Sequence, residues 1–567
     1  FRSFPALAMW DVWNEPELSF PQRTPNLETL ACYCPNCQRR FLDWLKKKYT
    51  SLDRLNQVWG RCYDSWDEVE TPRNPHTITD FIDWREFHID TMTGEAAWRL
   101  EMVREMDPDR VRYLHVVPNV MSVFNSVTCA ADDFAMAQHC EVFAATMNGG
   151  PILATQVLSA ARGKLCYNVE SHVNGGCTSM HQRILGKSDI LKDFLPQIGL
   201  GIRGFLFWQY RPEVLGFEAP AWGVVGLDGT DRPVTRAVQD FWATISPHAG
   251  AILNCLPKLP EIGIWKSRKN EIFHFCIHQD LTPLIDGVEG YIQAFYGNSL
   301  PFRIINGDML ENGELDGIKL LVLPSPYYLT AAEAQALDAW ARRGGVVVSE
   351  AHLGGYNGTT GRHSRELPGC GLAQSWGLRE VDSTSSYHLK LERAEAYLGA
   401  ATEDVRKALA DFGTSGGEYY PIHLAGDRAG NVWGASRYAV LSGDDLETEG
   451  SFEAGQPCLA SKSIGAGKVF YWGSNLGQGA KRDPSGLAYL LQKALQQAGI
   501  TPSLGIEAAP GAVHLDMLED AGGTLRYVML LNRTAQPQTV RLAYPWKMKG
   551  LFSVVEWNQA DLENLVL

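Results

Sequence analysis

The sequence predicts an α/β protein in which buried parallel strands alternate with helices. First, the apolar residues 6–10 lead into Asn14, Glu15 and Pro16, and because proline cannot donate to a sheet ladder, a buried strand is expected to end there. Second, four further strand-like runs are separated by stretches with helical spacing; the runs are 111–117, 138–145, 164–170 and 204–210, and the helical stretches include 28–49, 82–106 and 181–199. Such alternation is typical of a parallel sheet covered by helices.

The number of units matters for the fold. Five strand-and-helix units are predicted up to residue 242, whereas a closed (β/α)₈ barrel needs eight. Either the sheet is open, or the first three units lie upstream of residue 1. We expect the second, because the acidic residues that end the first and fourth visible strands would then belong to strands four and seven. A barrel lacking three strands would expose a long unpaired edge, so upstream residues are expected in the working protein.

A second α/β region and a small β region follow. Residues 257–260 have the composition of a linker, and 262–265, 320–324, 346–349 and 468–472 are predicted strands of a doubly wound sheet, with helices at 331–343 and 486–498 and a loop at 354–366. From residue 502 the pattern changes to short alternating runs at 513–517, 525–531 and 538–543, which predict an antiparallel β domain.

Bulk properties exclude several classes of partner. The 567-residue chain has a net charge of −14, which disfavours binding to nucleic acid or to an anionic membrane surface. Its apolar runs stay well short of the roughly 20 residues that a membrane span needs. The 12 cysteines are too few and too scattered for a disulfide scaffold, which favours a reducing, cytoplasmic location.

Two glutamates carry the predicted chemistry. Glu15 and Glu170 each follow a buried strand, and the carboxyl ends of barrel strands form the face where active sites lie. A pair of carboxylates suits glycoside hydrolysis, and we expect Trp10 and Trp13 to raise the pKa of Glu15 and to stack on sugar rings. The alternative is structural: either glutamate could cap a helix or pair with an arginine.

The motifs around these two glutamates resemble those of a known glycosidase family. Asn14-Glu15-Pro16, Glu170 and the stretch Cys32-Tyr33-Cys34-Pro35-Asn36-Cys37 are similar to glycoside hydrolase family 42, the β-galactosidase family. The resemblance implies a (β/α)₈ TIM barrel at 1–256 holding strands four to eight, a flavodoxin-like trimerisation domain at 257–501, and a small β-sandwich-like domain at 502–567. It also implies a homotrimer acting on a glycoside or oligosaccharide.

The resemblance assigns roles to individual residues. Glu15 would be the acid/base and Glu170 the nucleophile of a retaining exo-glycosidase that removes terminal β-linked sugars. Sugar contacts are implied for Asn14, Trp208, Arg211 and Glu218.

A structural zinc site is the implied metal centre. Cys32, Cys34 and Cys37 supply three closely spaced thiolates, and zinc prefers four such ligands in a tetrahedron. In the family the fourth ligand lies upstream of the acid/base, and Cys62 is the substitute visible in this sequence. Three thiols without a metal remain the alternative.

The sequence departs from the family where the sugar is recognised. A tryptophan is expected shortly after the nucleophile and a histidine shortly after the residue matched to Glu218, and both are missing; His172 and Trp222 are the local candidates to replace them. A different sugar preference, such as that of an α-L-arabinopyranosidase, is therefore one alternative, and a non-catalytic carbohydrate-binding barrel is another. Residues 186–188 do not form a phosphate loop, and Cys370 is not expected to be catalytic.

Overall fold

The computed structural model describes residues 4–19, 27–117, 127–147, 151–173, 185–216, 218–385, 419–426, 430–501, 505–507, 511–534, 536–543 and 565–566. Within these ranges the chain forms an α/β structure with one parallel sheet, one large mixed sheet and several smaller sheets of two or three strands. Among the described helices, none combines the length and hydropathy that crossing a lipid bilayer requires.

The first sheet has five parallel strands in chain order, which corresponds to the larger part of a barrel wall. The strands are β1 (Met9–Asn14), β2 (Val111–Val116), β3 (Val142–Ala145), β4 (Leu165–Ser171) and β5 (Gly204–Phe207). The accompanying helices are α1 (Pro35–Tyr49), α2 (Leu52–Trp59), α3 (Thr79–Met106), α4 (Asp133–Met136), α5 (Pro151–Ala161), α6 (Lys187–Leu200), α7 (Pro233–Ile245) and α8 (Ala249–Leu253), with 3₁₀ turns at Leu27–Thr29, Trp66–Glu68, Ala137–His139 and Ser246–His248.

The two faces of this sheet differ in what they pack against. Leu114 and Phe143 belong to the large core beneath the helices, whereas Tyr113, Val142 and Ala144 form a separate small cluster with Val169 on the opposite face. This second face is the inner wall of the curved sheet, since strand residues alternate between the two faces.

The second sheet has nine strands, and its centre is parallel. In the order β8, β7, β9, β11, β20, the strands follow the 2-1-3-4-5 order of flavodoxin-like sheets. Antiparallel strands then extend the edge beyond β20, so the doubly wound prediction is right for the centre and wrong for this extension. The nine strands are β7 (Ile262–Lys266), β8 (Phe302–Asn306), β9 (Leu320–Leu323), β11 (Val346–Glu350), β15 (Tyr419–Leu424), β16 (Asn431–Ala435), β18 (Glu447–Ser451), β19 (Pro457–Ile464) and β20 (Gly467–Trp472).

Shorter strands and the remaining helices complete this part. The helices are α9 (Arg268–His278), α10 (Thr282–Gly297), α11 (Gly307–Glu311), α12 (Ala331–Arg342), α13 (Leu372–Trp376), α14 (Leu476–Gly479) and α15 (Ser485–Gln497). The shorter sheets use β6 (Leu256–Pro257), β10 (Tyr328–Leu329), β12 (Tyr356–Asn357), β13 (Arg362–His363), β14 (Leu378–Ser385), β17 (Arg437–Gly443), β21 (Gly505–Glu507), β22 (Val513–Glu519), β23 (Leu525–Asn532), β24 (Thr539–Ala543) and β25 (Leu565–Val566).

Several predicted elements have different boundaries in the structure. The helix predicted over 28–49 begins only at Pro35, where Cys34 caps it and proline supplies the fixed φ of a first turn. The strand predicted over 138–145 is confined to β3, because Ala137–His139 forms a 3₁₀ turn. The predicted linker contributes a strand, since β6 pairs with β22, and the predicted loop at 354–366 contains β12 and β13. Residues 181–184 of the helix predicted over 181–199 lie outside the described residues.

Candidate active site

The two predicted glutamates meet above the inner wall of the first sheet. Glu15 follows β1 and Glu170 lies in β4, three strands away, yet one carboxylate oxygen of each lies within 4.8 Å of the other. Neighbouring strands are about 4.8 Å apart, so a flat sheet would separate these positions by roughly 14 Å. The convergence therefore follows from the curvature of the sheet.

The backbone around Glu15 turns sharply. Pairing between β1 and β2 shifts register between Asp11 and Asn14, and Glu15 itself has φ of 49°. Its N–H donates to the carbonyl oxygen of His115 at 2.8 Å, which holds this left-handed residue against β2. Bulges of this kind redirect the side chains that follow them, and here the bulge precedes the exposed carboxylate of Glu15.

Two histidines contact the Glu170 carboxylate from different sides. The Nε2 atom of His172 lies 3.1 Å from Glu170 Oε1, and the Nε2 atom of His115 lies 3.5 Å from Oε2. The Glu170 side chain is only 16% exposed, so these nitrogens face it in a largely desolvated setting. Such donors favour the ionised form of a carboxylate.

Burial and acidic neighbours raise the proton affinity of two acids of the site, Glu15 and Asp11. Partial burial, followed by the charges of Glu170 and Glu218, raises the pKa of Glu15, whereas His172 lowers it. One layer deeper, burial raises the pKa of Asp11 to about 6, with a smaller contribution from Glu170. The site thus contains one carboxyl group with increased proton affinity directly opposite a second carboxylate.

An aromatic wall stands beside the glutamates. The rings of His172 and Trp222 stack with centroids 4.2 Å apart, and the Trp222 indole N–H donates to Glu218 Oε2 at 3.2 Å. These three predicted residues therefore form one connected group in contact with Glu170. Stacked rings with a neighbouring carboxylate combine an apolar surface with a hydroxyl acceptor, as a sugar subsite requires.

The other predicted sugar-contacting residues lie at the rims of the strands. Asn14 ends β1 opposite His115 in the register, and Trp208 follows β5, where its N–H donates to the Ser171 carbonyl oxygen at 3.2 Å. The Trp208 side chain is 41% exposed. The Arg211 Nε donates to the Leu227 carbonyl oxygen at 2.8 Å, a contact within its own loop region.

The expectation for Trp10 and Trp13 is wrong. The Trp10 indole donates to Asp107 at 3.1 Å, and the Arg99 guanidinium of α3 lies 4.3 Å from the centre of the Trp13 ring. Both rings therefore face the helices on the outside of the sheet. Trp10 and Asp11 alternate across the strand, and the bulge after Asp11 places Trp13 outside as well. The pKa of Glu15 is raised by its own burial and by the charges of Glu170 and Glu218.

The sequence analysis did not identify three residues of the site: Asp11, His115 and Thr146. Each lies on the inner wall or at its rim, and the His115 Nε2 is 2.7 Å from the Thr146 hydroxyl. The only signal in the sequence is a polar residue in phase with the inward positions of an apolar strand, such as His115 two residues after Tyr113.

The cysteine cluster is assembled beside α1. One sulfur atom each from Cys32, Cys34 and Cys37 lies within 4.8 Å of the other two, and the Cys34 sulfur accepts the Cys37 N–H at 3.5 Å. Hydrogen bonds from Cys37 and Cys32 lower the pKa of the Cys34 thiol to about 7, so this thiol ionises readily. The donor set fits three positions of a zinc tetrahedron, and Cys62 is not within that distance; no fourth His, Cys, Asp or Glu joins it among the described residues.

The family model and the two relatives that match this chain below are all described as beta-galactosidases. Residues 1–247 match the family model of glycoside hydrolase family 42, described as beta-galactosidase. The chain is 23% identical over 556 residues to the beta-galactosidase BglY of Alicyclobacillus acidocaldarius, covering 90% of this chain and 72% of the relative. It is 24% identical over 402 residues to the beta-galactosidase bgaB of Geobacillus kaustophilus, covering 63% and 54%. The chain thus spans about half to three quarters of the length of these relatives.

Solved structures share the fold. A catalytic mutant of Gan42B, described as a GH42 beta-galactosidase from G. stearothermophilus, superposes with a TM-score of 0.78 at 18% identity, covering 100% of this chain and 77% of that one. The beta-galactosidase from Bacillus circulans sp. alkalophilus gives 0.77 at 17% identity, covering 95% and 75%. The fold is accordingly of the TIM-barrel type, with the five described strands forming a half-barrel sheet.

Proposed function

Because residues 1–247 match the glycoside hydrolase family 42 model, we propose that this chain belongs to that family and is a retaining exo-β-galactosidase whose reaction is carried out by Glu15 and Glu170. The observation that carries the proposal is the approach of the two carboxylates, whose nearest oxygens lie within 4.8 Å. Retaining glycosidases hold their carboxyl groups about 5–5.5 Å apart, whereas inverting enzymes separate them by about 6.5–9.5 Å to admit water.

The reaction takes place in two displacements. In the first, a Glu170 oxygen attacks the anomeric carbon while Glu15 gives its proton to the glycosidic oxygen, so that the aglycone leaves as an alcohol and a glycosyl ester forms on Glu170. In the second, Glu15 removes a proton from water, the water oxygen attacks the anomeric carbon, and Glu170 leaves as a carboxylate. The raised pKa of Glu15 supports its assignment as the acid.

Sugar preference depends on the stacked pair of His172 and Trp222. Glu218 accepts from the Trp222 indole, so its orientation and the position of the ring are linked. Galactose is the default substrate, and an α-L-arabinopyranoside is the main competitor, because it lacks the hydroxymethyl group that a pocket has to accommodate. A carbohydrate-binding barrel without turnover is the other class of function.

Three further properties are proposed with the activity. Cys32, Cys34 and Cys37 hold a structural zinc ion that fixes the loop before α1 and takes no part in the chemistry. The protein works as a cytoplasmic homotrimer assembled through its flavodoxin-like region, and the free state of all cysteines that the structure describes agrees with a reducing compartment. The three-domain division at residues 256 and 501 remains part of this proposal.

The experiment uses a panel of 4-nitrophenyl glycosides. We expect nitrophenol release from the β-galactoside, loss of turnover by at least about 10³-fold in Glu170→Gln, and an unchanged rate in Glu105→Gln, which alters an exposed glutamate of α3. NMR spectra of the first product should show the β-anomer. Release from the α-L-arabinopyranoside alone would reassign the sugar, an α-anomer would rule out retention, and sugar binding without release would favour the binding barrel.

A further inference from the structure

His115 lies on the inner wall directly beneath the two glutamates. It occupies β2 between β1 and β3, opposite Asn14 on one side and Ala144 on the other, two residues after Tyr113 on the same face. Its side chain is 4% exposed. A polar ring in this apolar layer needs a partner, since burying an unpaired imidazole is costly.

The contacts of His115 connect both glutamates. Its carbonyl oxygen accepts the Glu15 N–H at 2.8 Å, while its Nε2 lies 3.5 Å from Glu170 Oε2 and 2.7 Å from the Thr146 hydroxyl. On the other side of the ring, Nδ1 is 3.8 Å from Asp11 Oδ2, which is beyond hydrogen-bond distance.

One tautomer of the ring directs its hydrogen toward Thr146 and Glu170. Burial lowers the pKa of His115 even though the charge of Glu170 raises it, so the ring is neutral near pH 7 and carries one N–H. If that hydrogen were on Nδ1, the Nε2 lone pair would face the lone pairs of the Glu170 carboxylate. With the hydrogen on Nε2, both Thr146 and Glu170 lie on the donor side of the ring.

We propose that His115 is a positioning residue: its Nε2–H, shared between the Thr146 hydroxyl at 2.7 Å and Glu170 Oε2 at 3.5 Å, orients the Glu170 carboxylate and thereby aligns the attacking group. The assignment builds on the proposed glycosidase function. Together with His172, which lies against Oε1, His115 places one ring nitrogen beside each oxygen of Glu170. A nucleophile held in this way keeps its attack geometry, and misplacement of about 1 Å costs on the order of 10²-fold in rate.

Other charged groups around the ring do not explain its placement. The titratable neighbours on the packed elements are Asp11 on β1, Tyr113 on β2, Glu170 and His172 on or after β4, and Glu15 above. Tyr113 hydrogen-bonds to Asp11, which leaves Asp11 oriented without His115. Glu170 is therefore the charged group nearest to Nε2 among the described residues.

The test isolates the attack step. A 2,4-dinitrophenyl β-glycoside has a leaving group that needs no proton. The rate at which it glycosylates the enzyme therefore depends on attack by Glu170 and not on proton donation by Glu15. We compare His115→Gln, whose amide reaches the position of Nε2, with His115→Asn, whose shorter amide does not. His115→Leu removes every donor, and His139→Leu, at an exposed histidine, is the matched control.

The expected order is specific to positioning. The Gln variant should keep its kcat/KM for this substrate within about tenfold of wild type, the Asn and Leu variants should lose about 10²-fold, and the control should be unchanged. The polar Gln and Asn variants decide the question if the Leu variant does not fold.

Two results overturn the assignment: equal losses in Gln and Asn, or an unchanged kcat/KM in Asn and Leu. A failure of the glycosidase proposal looks different, because wild type itself would then release no sugar from any substrate. If wild type is active and Glu170→Gln is dead while His115→Asn behaves as wild type, only the positioning role of His115 is wrong.

Discussion

The proton affinity of Glu15 should depend on the charge of Glu170, and this can be measured without turnover. At 4.8 Å, two unit charges repel each other by about 3.5 kcal/mol at an effective dielectric constant of 20. Because the Glu15 side chain is exposed, solvent screening should reduce this to about 1 kcal/mol. Glu170→Gln removes the charge and nearly preserves the shape, so the pKa of Glu15 should fall.

The assay is a carbon-13 NMR titration of protein labelled at the glutamate side-chain carboxyl. The Glu15 signal is identified as the one missing from Glu15→Gln. A fall of 1 kcal/mol corresponds to roughly fivefold weaker proton binding, which is well resolved in such a titration. Glu105→Gln should leave the midpoint unchanged. An unchanged midpoint in Glu170→Gln would mean that the two carboxylates do not share one site, and the glycosidase mechanism would lose its basis.

Three other predictions concern the site, the cysteine cluster and the second sheet. Glu218→Gln should move the basic limb of kcat/KM to lower pH, because Glu218 raises the pKa of Glu15; an unmoved limb would contradict this. Cys34→Ser should lose bound zinc, measured by mass spectrometry of the metal, whereas Cys62→Ser should retain it. Glu350→Gln should lower the free energy of unfolding in urea by about 2–4 kcal/mol, because its new NH₂ would face the N–H of Ser325 or Gly477, which now donate to the carboxylate at 2.8 and 2.7 Å.

The titration of Glu350 gives the last of these variants a second readout. Burial raises the pKa of Glu350 to about 7, so the folded state binds this proton more tightly than the unfolded state does. Its stabilising contribution is therefore complete below the unfolded value of about 4.5 and is lost as pH rises through 7. The unfolding free energy of wild type should fall over this range, and the Gln variant should lack that part of the decline.

Much of the site was predictable because strand ends are local features. The strand ends are marked in the sequence by Asn14-Glu15-Pro16 and by the run that ends at Glu170. Parallel strands place such ends on one edge of the sheet. His172 and Trp222 were also found, since they replace residues that the family resemblance led us to expect. His172 follows β4 and Trp222 follows β5, and the structure brings both side chains together with Glu218.

Other features depended on geometry that no short pattern contains. The outward direction of Trp13 follows from a bulge in β1, and the approach of Glu15 to Glu170 follows from sheet curvature. His115 was overlooked because one histidine in an apolar strand is as easily a packed core residue as a functional one. The proximity of His115 to the site becomes visible only in the structure, where β2 lies between the strands of the two glutamates and a Glu170 oxygen is 3.5 Å from the His115 ring.

In the proposed mechanism, the short distance between the two carboxylates lets one glutamate serve as both acid and base. While Glu170 is ionised, its charge raises the pKa of Glu15 and keeps a proton available for the departing oxygen. Once Glu170 becomes a glycosyl ester, that charge is gone and the pKa of Glu15 falls when a base is needed to activate water. In this mechanism the charge of Glu218 opposes the fall in the pKa of Glu15, whereas His172 supports it. The position of Glu218 therefore bears on the second step of the reaction as well as on sugar recognition.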